Sequence, residues 1–108
     1  MQSEKLKKLV LKILDDLKAE NIVDIDVKGK TSIADFMVIC SARSSRHLQA
    51  VADNLAQEVK KYQVQPRTVE GRNSTEWALV DLNDVIVHIM MPHSRDFYQL
   101  EKLWQHET

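Results

Sequence analysis

The chain has 108 residues, of which 44% are hydrophobic and 29% charged, with a formal net charge of −1. This length predicts one domain over residues 1–108 that forms its core without metal or disulfide support. The near-neutral charge argues against direct nucleic-acid binding as the main activity. No apolar run approaches the roughly 20 residues that span a membrane, and no secretory signal is recognisable. We therefore expect a protein of the cytoplasm, or of an organelle matrix after removal of a leader.

The first half of the chain contains four segments with clear periodicity. Apolar residues at helical spacing predict an amphipathic helix in the first and last of them. Strict alternation predicts a half-buried strand in the second, and a continuous apolar run predicts a fully buried strand in the third. The two strands are expected to pair as a hairpin. The predicted elements are a helix over 3–19 capped by Ser3, strands over Ile22–Val27 and Asp35–Ser41, and a helix from Ser44 or Ser45 to about Tyr62.

The second half predicts three strands and a closing helix, with a tight polar turn around Asn83 between the two longer strands. We expect the closing helix to be continuous and capped by Ser94. Its apolar face would contain Phe97, Leu100, Leu103 and Trp104. The predicted elements are strands over Arg67–Glu70, Trp77–Leu82 and Asp84–Met91, and a helix over Ser94–Trp104.

The resulting order of elements is α-β-β-α-β-β-β-α. Central strands with nearly continuous apolar runs, together with several amphipathic helices, predict an α/β (α+β) domain with a mixed five-stranded sheet and helices packed on it.

The region from Glu70 to Asp84 holds the most informative charge pattern. It contains four carboxylates and one basic residue, Arg72, and Trp77 begins one of the predicted strands. Residues 66–108 carry four basic and seven acidic residues, so this part of the chain has a net charge of −3. An acidic sheet end that carries an aromatic residue favours docking of a basic partner. Trp77 could equally be a core residue, as strand aromatics often are.

Catalytic and metal-binding patterns are weak in this sequence. Asp24 and Asp26 place two carboxylates on one face of a strand, a spacing that suits a divalent cation bridging phosphates. The same spacing is typical of the solvent face of an amphipathic strand. The four histidines show no metal-ligand spacing. We expect no catalytic residue, no metal and no cofactor.

Three segments resemble the ribosomal silencing factor family, also called the Iojap-like family. They are DVKGKTSIADFMVICSARSSRH, VEGRNSTEWALVDLNDVIVHIM and SRDFYQLEKLW. The resemblance implies a fold similar to nucleotidyltransferases, without the Gly-Ser loop and acidic triad of those enzymes. It further implies binding to the large ribosomal subunit, on its L-fourteen protein, at the face where the small subunit joins. Joining would be blocked and translation repressed when nutrients are short.

Carried onto this chain, the resemblance implies that Trp77, Leu82, Tyr98 and Lys102 form an exposed contact surface. Tyr98 and Lys102 are four residues apart, so a continuous helix would make them neighbours on one face.

Asp81 and Asp84 join these candidates on electrostatic grounds, since ribosomal proteins are rich in Lys and Arg. The resemblance also makes a homodimer of the free protein conceivable, and contact with ribosomal RNA would be secondary. Two alternatives stay open: a metal-dependent nucleotidyl- or phosphoryl-transfer domain using Asp24 and Asp26, and an adaptor for another basic protein.

Overall fold

The structure, a computed structural model, describes residues 1–105, within which four helices accompany a five-stranded sheet. The order of strands and helices confirms the predicted α/β class, except that the closing helix is divided in two. The helices are α1 (Ser3–Asp16), α2 (Ser45–Lys60), α3 (Pro92–Tyr98) and α4 (Leu100–Gln105). The strands are β1 (Glu20–Asp26), β2 (Phe36–Ser41), β3 (Thr68–Glu70), β4 (Trp77–Asp81) and β5 (Val85–Met90).

The strands are arranged in the order β1-β2-β5-β4-β3. β2 and β5 are parallel, and the other neighbouring pairs are antiparallel, which includes the predicted β1–β2 hairpin. Every residue of β2 and β5 is buried, as expected for strands that are apolar except for Ser41 and His88. Because side chains alternate along each strand, these two strands supply apolar groups to both faces of the sheet.

One face of the sheet is covered by α1 and α2, and we call it the helix-covered face. Leu14, Leu48 and Leu55 of these helices are fully buried against the aliphatic side chains of β2 and β5. Cys40 lies in the same layer, and burial raises the pKa of its thiol to about 12, so the thiol stays protonated.

The other face is only partly covered, and we call it the half-open face. Met37, Ile39 and Met90 are buried here, and Leu100 and Trp104 of α4 pack against this cluster. The cover does not extend over β4, where Trp77 and Leu79 are half-buried. This face therefore combines a small core with an accessible border along β4 and β3.

Two of the predicted helix caps are wrong. Gln2 is the residue before α1, and its side chain makes no capping hydrogen bond, so Ser3 already lies inside the helix. The closing helices begin at Pro92 rather than after Ser94, because the fixed φ of proline suits the first helical position. Ser44 does cap α2, since its Oγ accepts a hydrogen bond from the backbone N–H of His47 at 3.1 Å.

Candidate protein-docking surface

Trp77 begins β4 on the half-open face and contacts two neighbouring rings. Its indole Nε1–H donates to Nδ1 of His88 at 3.0 Å. The Tyr98 ring packs beside it with a centroid distance of 5.0 Å and an interplanar angle of 46°, within the range of favourable aromatic pairs. Trp77 is therefore partly core and partly surface, and its orientation is set by contacts on both sides.

His88 determines which way the indole points. It lies in the middle of β5 with 8% of its surface exposed, and burial lowers the pKa of its imidazole to about 4. The ring is consequently neutral at physiological pH. A neutral ring can present Nδ1 as the acceptor that the indole requires, which places the ring proton on Nε2.

Two further aromatic side chains extend this surface into solvent. Tyr98 is 53% exposed and Phe97 is 80% exposed. Their rings meet edge to face at 5.0 Å. We call Trp77, Tyr98 and Phe97 the aromatic surface. A contiguous exposed patch of this kind is typical of protein interaction sites.

A shallow recess of about 210 Å³ adjoins the aromatic surface on the β3 side, lined by Glu70, Gly71, Trp77 and Leu79. Gly71 has a φ of +78°, and a Cβ at this position would lie 2.4 Å from the backbone oxygen of Trp77. Only glycine allows the chain to approach the start of β4 so closely. The recess is therefore formed by backbone as much as by side chains.

Helix α3 is attached to the start of β4 through Glu76. One carboxylate oxygen of Glu76 accepts hydrogen bonds from Oγ of Ser94 and from Nε2 of His93, the latter at 2.6 Å. The backbone N–H of Met91 donates to the Glu76 carbonyl at 2.9 Å. The hydrogen bond from Ser94, followed by that from His93, holds the pKa of the Glu76 carboxyl below its usual range. These bonds place Tyr98, at the end of α3, beside Trp77.

The predicted pairing of Tyr98 with Lys102 on one helix is wrong. The chain leaves the helical conformation at Gln99, which has a φ of +51° and separates α3 from α4. Buried Arg95 spans this break: its Nε donates to Glu101 at 2.5 Å and its Nη1 donates to Ser41 of β2 at 2.9 Å.

The break also redistributes the predicted apolar face of the closing helix. Leu100 and Trp104 pack on the sheet, whereas Phe97 and Leu103 are exposed. One straight helix could not direct these four residues in two directions. Lys102 is exposed on α4, so it remains available for contact.

The expectation that Leu82 adds exposed apolar area is also wrong. Only 3% of its surface is exposed, and its side chain belongs to the core beneath the helix-covered face. The reason is strand alternation, which directs Leu82 to the side opposite Leu79 and Asp81. Leu82 instead closes the hairpin through its backbone, whose N–H donates to Val85 at 2.9 Å.

The two turn carboxylates are half-buried and lie at the same end of the sheet. Oδ1 of Asp81 accepts from the backbone N–H of Asn83 at 2.8 Å, and Asn83 has a φ of +75°. Asp81 therefore stabilises the turn, an Asx-type arrangement. The backbone carbonyl of Asp84 accepts from the N–H groups of Asp35 and Phe36.

Sequence reasoning gave no role in this site to His88 and Arg95, and it counted Glu76 only among the four carboxylates of the acidic stretch. His88 had a signal: the β4–β5 hairpin pairs Leu79 with His88, which places His88 diagonal to Trp77 on the same face. The contacts of Glu76 and Arg95 had no local signal, because Ser94 and Ser41 lie far from them in the sequence.

The alternative chemistry at Asp24 and Asp26 gains no support from the geometry. Asp24 lies 3.3 Å from Nζ of Lys7, and Asp26 accepts from the backbone N–H of Lys28 at 2.9 Å. Within residues 1–105, no group of three or more His, Cys, Asp or Glu side chains is placed to hold a metal ion. In the same range, no helix combines the length and apolarity needed to cross a membrane.

Together, the half-open sheet face, the aromatic surface and its acidic surroundings define a small α/β binding domain. The chain belongs to the family described as ribosomal silencing factor during starvation, whose family model matches residues 1–108. The family assignment made from the three sequence segments is thus confirmed, and the protein is a ribosome-associated regulator of translation rather than an enzyme.

Individual relatives agree with this assignment. The chain is similar to the ribosomal silencing factor of Haemophilus influenzae, with 48% identity over 99 residues, covering 92% of this chain and 97% of the relative. The Bacillus subtilis factor is 35% identical over 104 residues, covering 96% and 88%.

Solved structures of relatives share the fold. A Chromobacterium violaceum protein superposes with a TM-score of 0.94 at 34% identity, covering 100% of this chain and 90% of that one. A Bacillus halodurans protein gives a TM-score of 0.84 at 36% identity, covering 94% of each chain.

Proposed function

We propose that the protein binds the large ribosomal subunit through its aromatic surface, with ribosomal protein L-fourteen as the partner, and so prevents the small subunit from joining. Translation is then repressed when nutrients are limiting, and the proposed place of action is the cytoplasm. The observation that carries the proposal is the contiguous group formed by Trp77, Tyr98 and Phe97 on the half-open face of a member of this family.

The charges around the aromatic surface support a basic protein as partner. Glu70 is exposed beside Trp77, and Asp81 lies on the same side of β4 as Leu79. Asp84 and Lys102 belong to the rim of the proposed contact. Complementary charge accelerates association and fixes orientation, whereas buried aromatic side chains supply most of the affinity. Leu82 is not among the proposed direct contacts, because its side chain lies in the core.

The proposed mechanism is steric. The described residues extend 34 × 34 × 21 Å along their principal axes. A standard protein interface covers on the order of 800 Å² per partner. A body of this size on a flat intersubunit surface excludes the other subunit by overlap, and reversal requires only dissociation.

The decisive experiment is sedimentation of purified ribosomal subunits with and without this protein, at magnesium concentrations that favour joining. We expect the protein to migrate with the large subunit and the joined peak to diminish. Normal joining without co-migration would contradict the proposal. Co-migration with unaltered joining would leave a ribosome-bound adaptor, and the steric mechanism would be wrong.

The free protein offers the same aromatic surface to a second copy of itself. We propose that homodimerisation and subunit binding compete for this surface. Sedimentation velocity of the isolated protein tests this point, with a concentration-dependent increase in mass as the expected result.

A further inference from the structure

A second surface with opposite charge lies along β3, at the edge of the sheet. Lys60 from the last turn of α2, Arg67 before β3 and Arg72 after it line one recess of about 220 Å³. We call these three residues and the space between them the cationic recess. Gln65 and Thr68, both exposed, also line it and add an amide and a hydroxyl.

The positive charge of the recess is largely uncompensated. In the part of the chain that the structure describes, Lys60 and Arg67 are exposed and neither forms an ion pair. Arg72 has one carboxylate nearby, since its Nε lies 3.6 Å from Oδ1 of Asp53, but 59% of its side chain is exposed. The carbonyl end of α2 carries a partial negative charge at this point, which Lys60 in its last turn offsets.

The recess borders the proposed docking surface without belonging to it. Thr68 and Val69 of β3 line the cationic recess, whereas Glu70 at the end of the same strand lines the recess next to Trp77. The acidic, aromatic recess and the cationic recess therefore adjoin along the edge strand β3. A partner bound at Trp77 would leave the cationic recess at the rim of the contact.

We infer that the cationic recess binds the phosphate backbone of ribosomal RNA beside the protein docking site. This inference rests on the proposed function, because the RNA concerned is that of the large subunit. Two guanidinium groups and an ammonium match phosphate oxygens in charge and hydrogen-bond capacity. Ribosomal proteins are themselves basic, so RNA is the abundant anionic surface that such a recess would meet. The contact would orient the protein, while the aromatic surface supplies affinity.

The salt dependence of binding tests this inference. The double variant Lys60→Gln, Arg67→Gln is compared with Lys5→Gln, Lys8→Gln, which removes the same charge from exposed positions of α1. Affinity for purified large subunits is measured over a series of potassium chloride concentrations. We expect the recess variant to lower the slope of log affinity against log salt by about 2, because each phosphate contact contributes about 1. Its affinity at low salt should fall roughly tenfold.

The control variant should retain the wild-type slope, and both variants should unfold at the wild-type denaturant concentration. An unchanged slope in the recess variant would overturn the RNA contact while leaving the proposed function intact. An equal loss of affinity in both variants would show that the effect comes from overall charge, and this would also overturn the RNA contact. Failure of the wild-type protein to bind large subunits would refute the proposed function, and this inference with it.

A crosslink identifies the occupant directly. A photoreactive amino acid replaces Gln65, which lines the recess but carries none of its charge. On the large subunit we expect a crosslinked product that ribonuclease degrades. A product sensitive only to protease would show that an acidic protein segment occupies the recess, and the inference would be wrong.

Discussion

The two faces of the sheet use the same five strands for different purposes. The helix-covered face is sealed by α1 and α2 and contains almost exclusively aliphatic side chains. The half-open face is covered in part by two short helices, and its side chains include Trp77 and His88. Stability of the fold is thus concentrated on one face, which leaves the other free to present a binding surface.

On the half-open face, specific polar contacts rather than extensive apolar packing hold α3 and the α3–α4 break against the sheet. Glu76 with Ser94 attaches α3 to β4, and Arg95 attaches the α3–α4 break to Ser41 of β2. Such contacts hold an exposed surface in one conformation before a partner arrives, which lowers the entropic cost of binding. The comparison therefore predicts that substitutions on the two faces have separable effects.

The largest expected effect is on the helix-covered face. Leu55 is fully buried between α2 and the sheet, so Leu55→Ala should lower the free energy of unfolding by about 2–5 kcal/mol through lost burial and the cavity left behind. Urea denaturation measures the change. Molecules that remain folded should bind large subunits normally. A specific loss of binding without destabilisation would contradict the division between the faces.

The next effect is a pH dependence that originates on the half-open face. Burial lowers the pKa of His88 from 6.5 to about 4, so its contribution to stability is complete above pH 6.5 and is lost as the pH falls toward 4. Over this interval the unfolded state binds a proton that the folded state does not, which lowers the free energy of unfolding by about 3 kcal/mol. Urea denaturation across this pH range measures it.

The control for this prediction is His88→Gln, which offers Trp77 an amide oxygen as acceptor but does not titrate. The carboxyl groups, including Glu76, titrate equally in both proteins, so the difference between the two curves isolates His88. Parallel curves would show that His88 is not held neutral by burial.

The sequence predicted the helix-covered face well and the half-open face poorly, for a physical reason. Helical periodicity in α1 and α2 and the apolar runs of β2 and β5 are local signals, and their packing follows from them. The half-open face depends on the αL conformation of Gln99, and residue 99 is not a glycine, so the sequence gives no sign of a helix end there. It also depends on contacts between distant segments, such as that of Arg95 with Ser41. Trp77 was identified both from the acidic stretch around it and from the family resemblance, and the resemblance also implied Tyr98. The resemblance placed Leu82 on the surface as well, although alternation along β4 directs it away from Leu79 and Asp81.

The third effect concerns Trp77 and affects binding more than stability. Trp77→Ala should weaken binding to large subunits by about 2 kcal/mol or more, the range of interface hot spots, while the fold is retained. Trp77→Phe is the matched variant: it keeps an aromatic ring but removes the indole donor to His88. We expect it to recover part of the affinity. Full-strength binding by Trp77→Ala would remove Trp77 from the interface, as would simple unfolding of the variant.

The smallest expected effect is a difference in binding between substitutions of two exposed aromatic residues, one on each side of the sheet. Phe97 on α3 is 80% exposed and Tyr62 after α2 is 52% exposed, so changing either to serine should alter the free energy of unfolding by no more than about 0.5 kcal/mol. Phe97→Ser should nevertheless weaken large-subunit binding by about 1 kcal/mol, since peripheral interface residues contribute less than central ones. Tyr62→Ser should bind like the wild type, because Tyr62 lines a groove with α1 residues on the helix-covered side. Equal binding losses in the two variants would mean that docking follows general surface hydrophobicity; a loss confined to Phe97→Ser would assign docking to the half-open face.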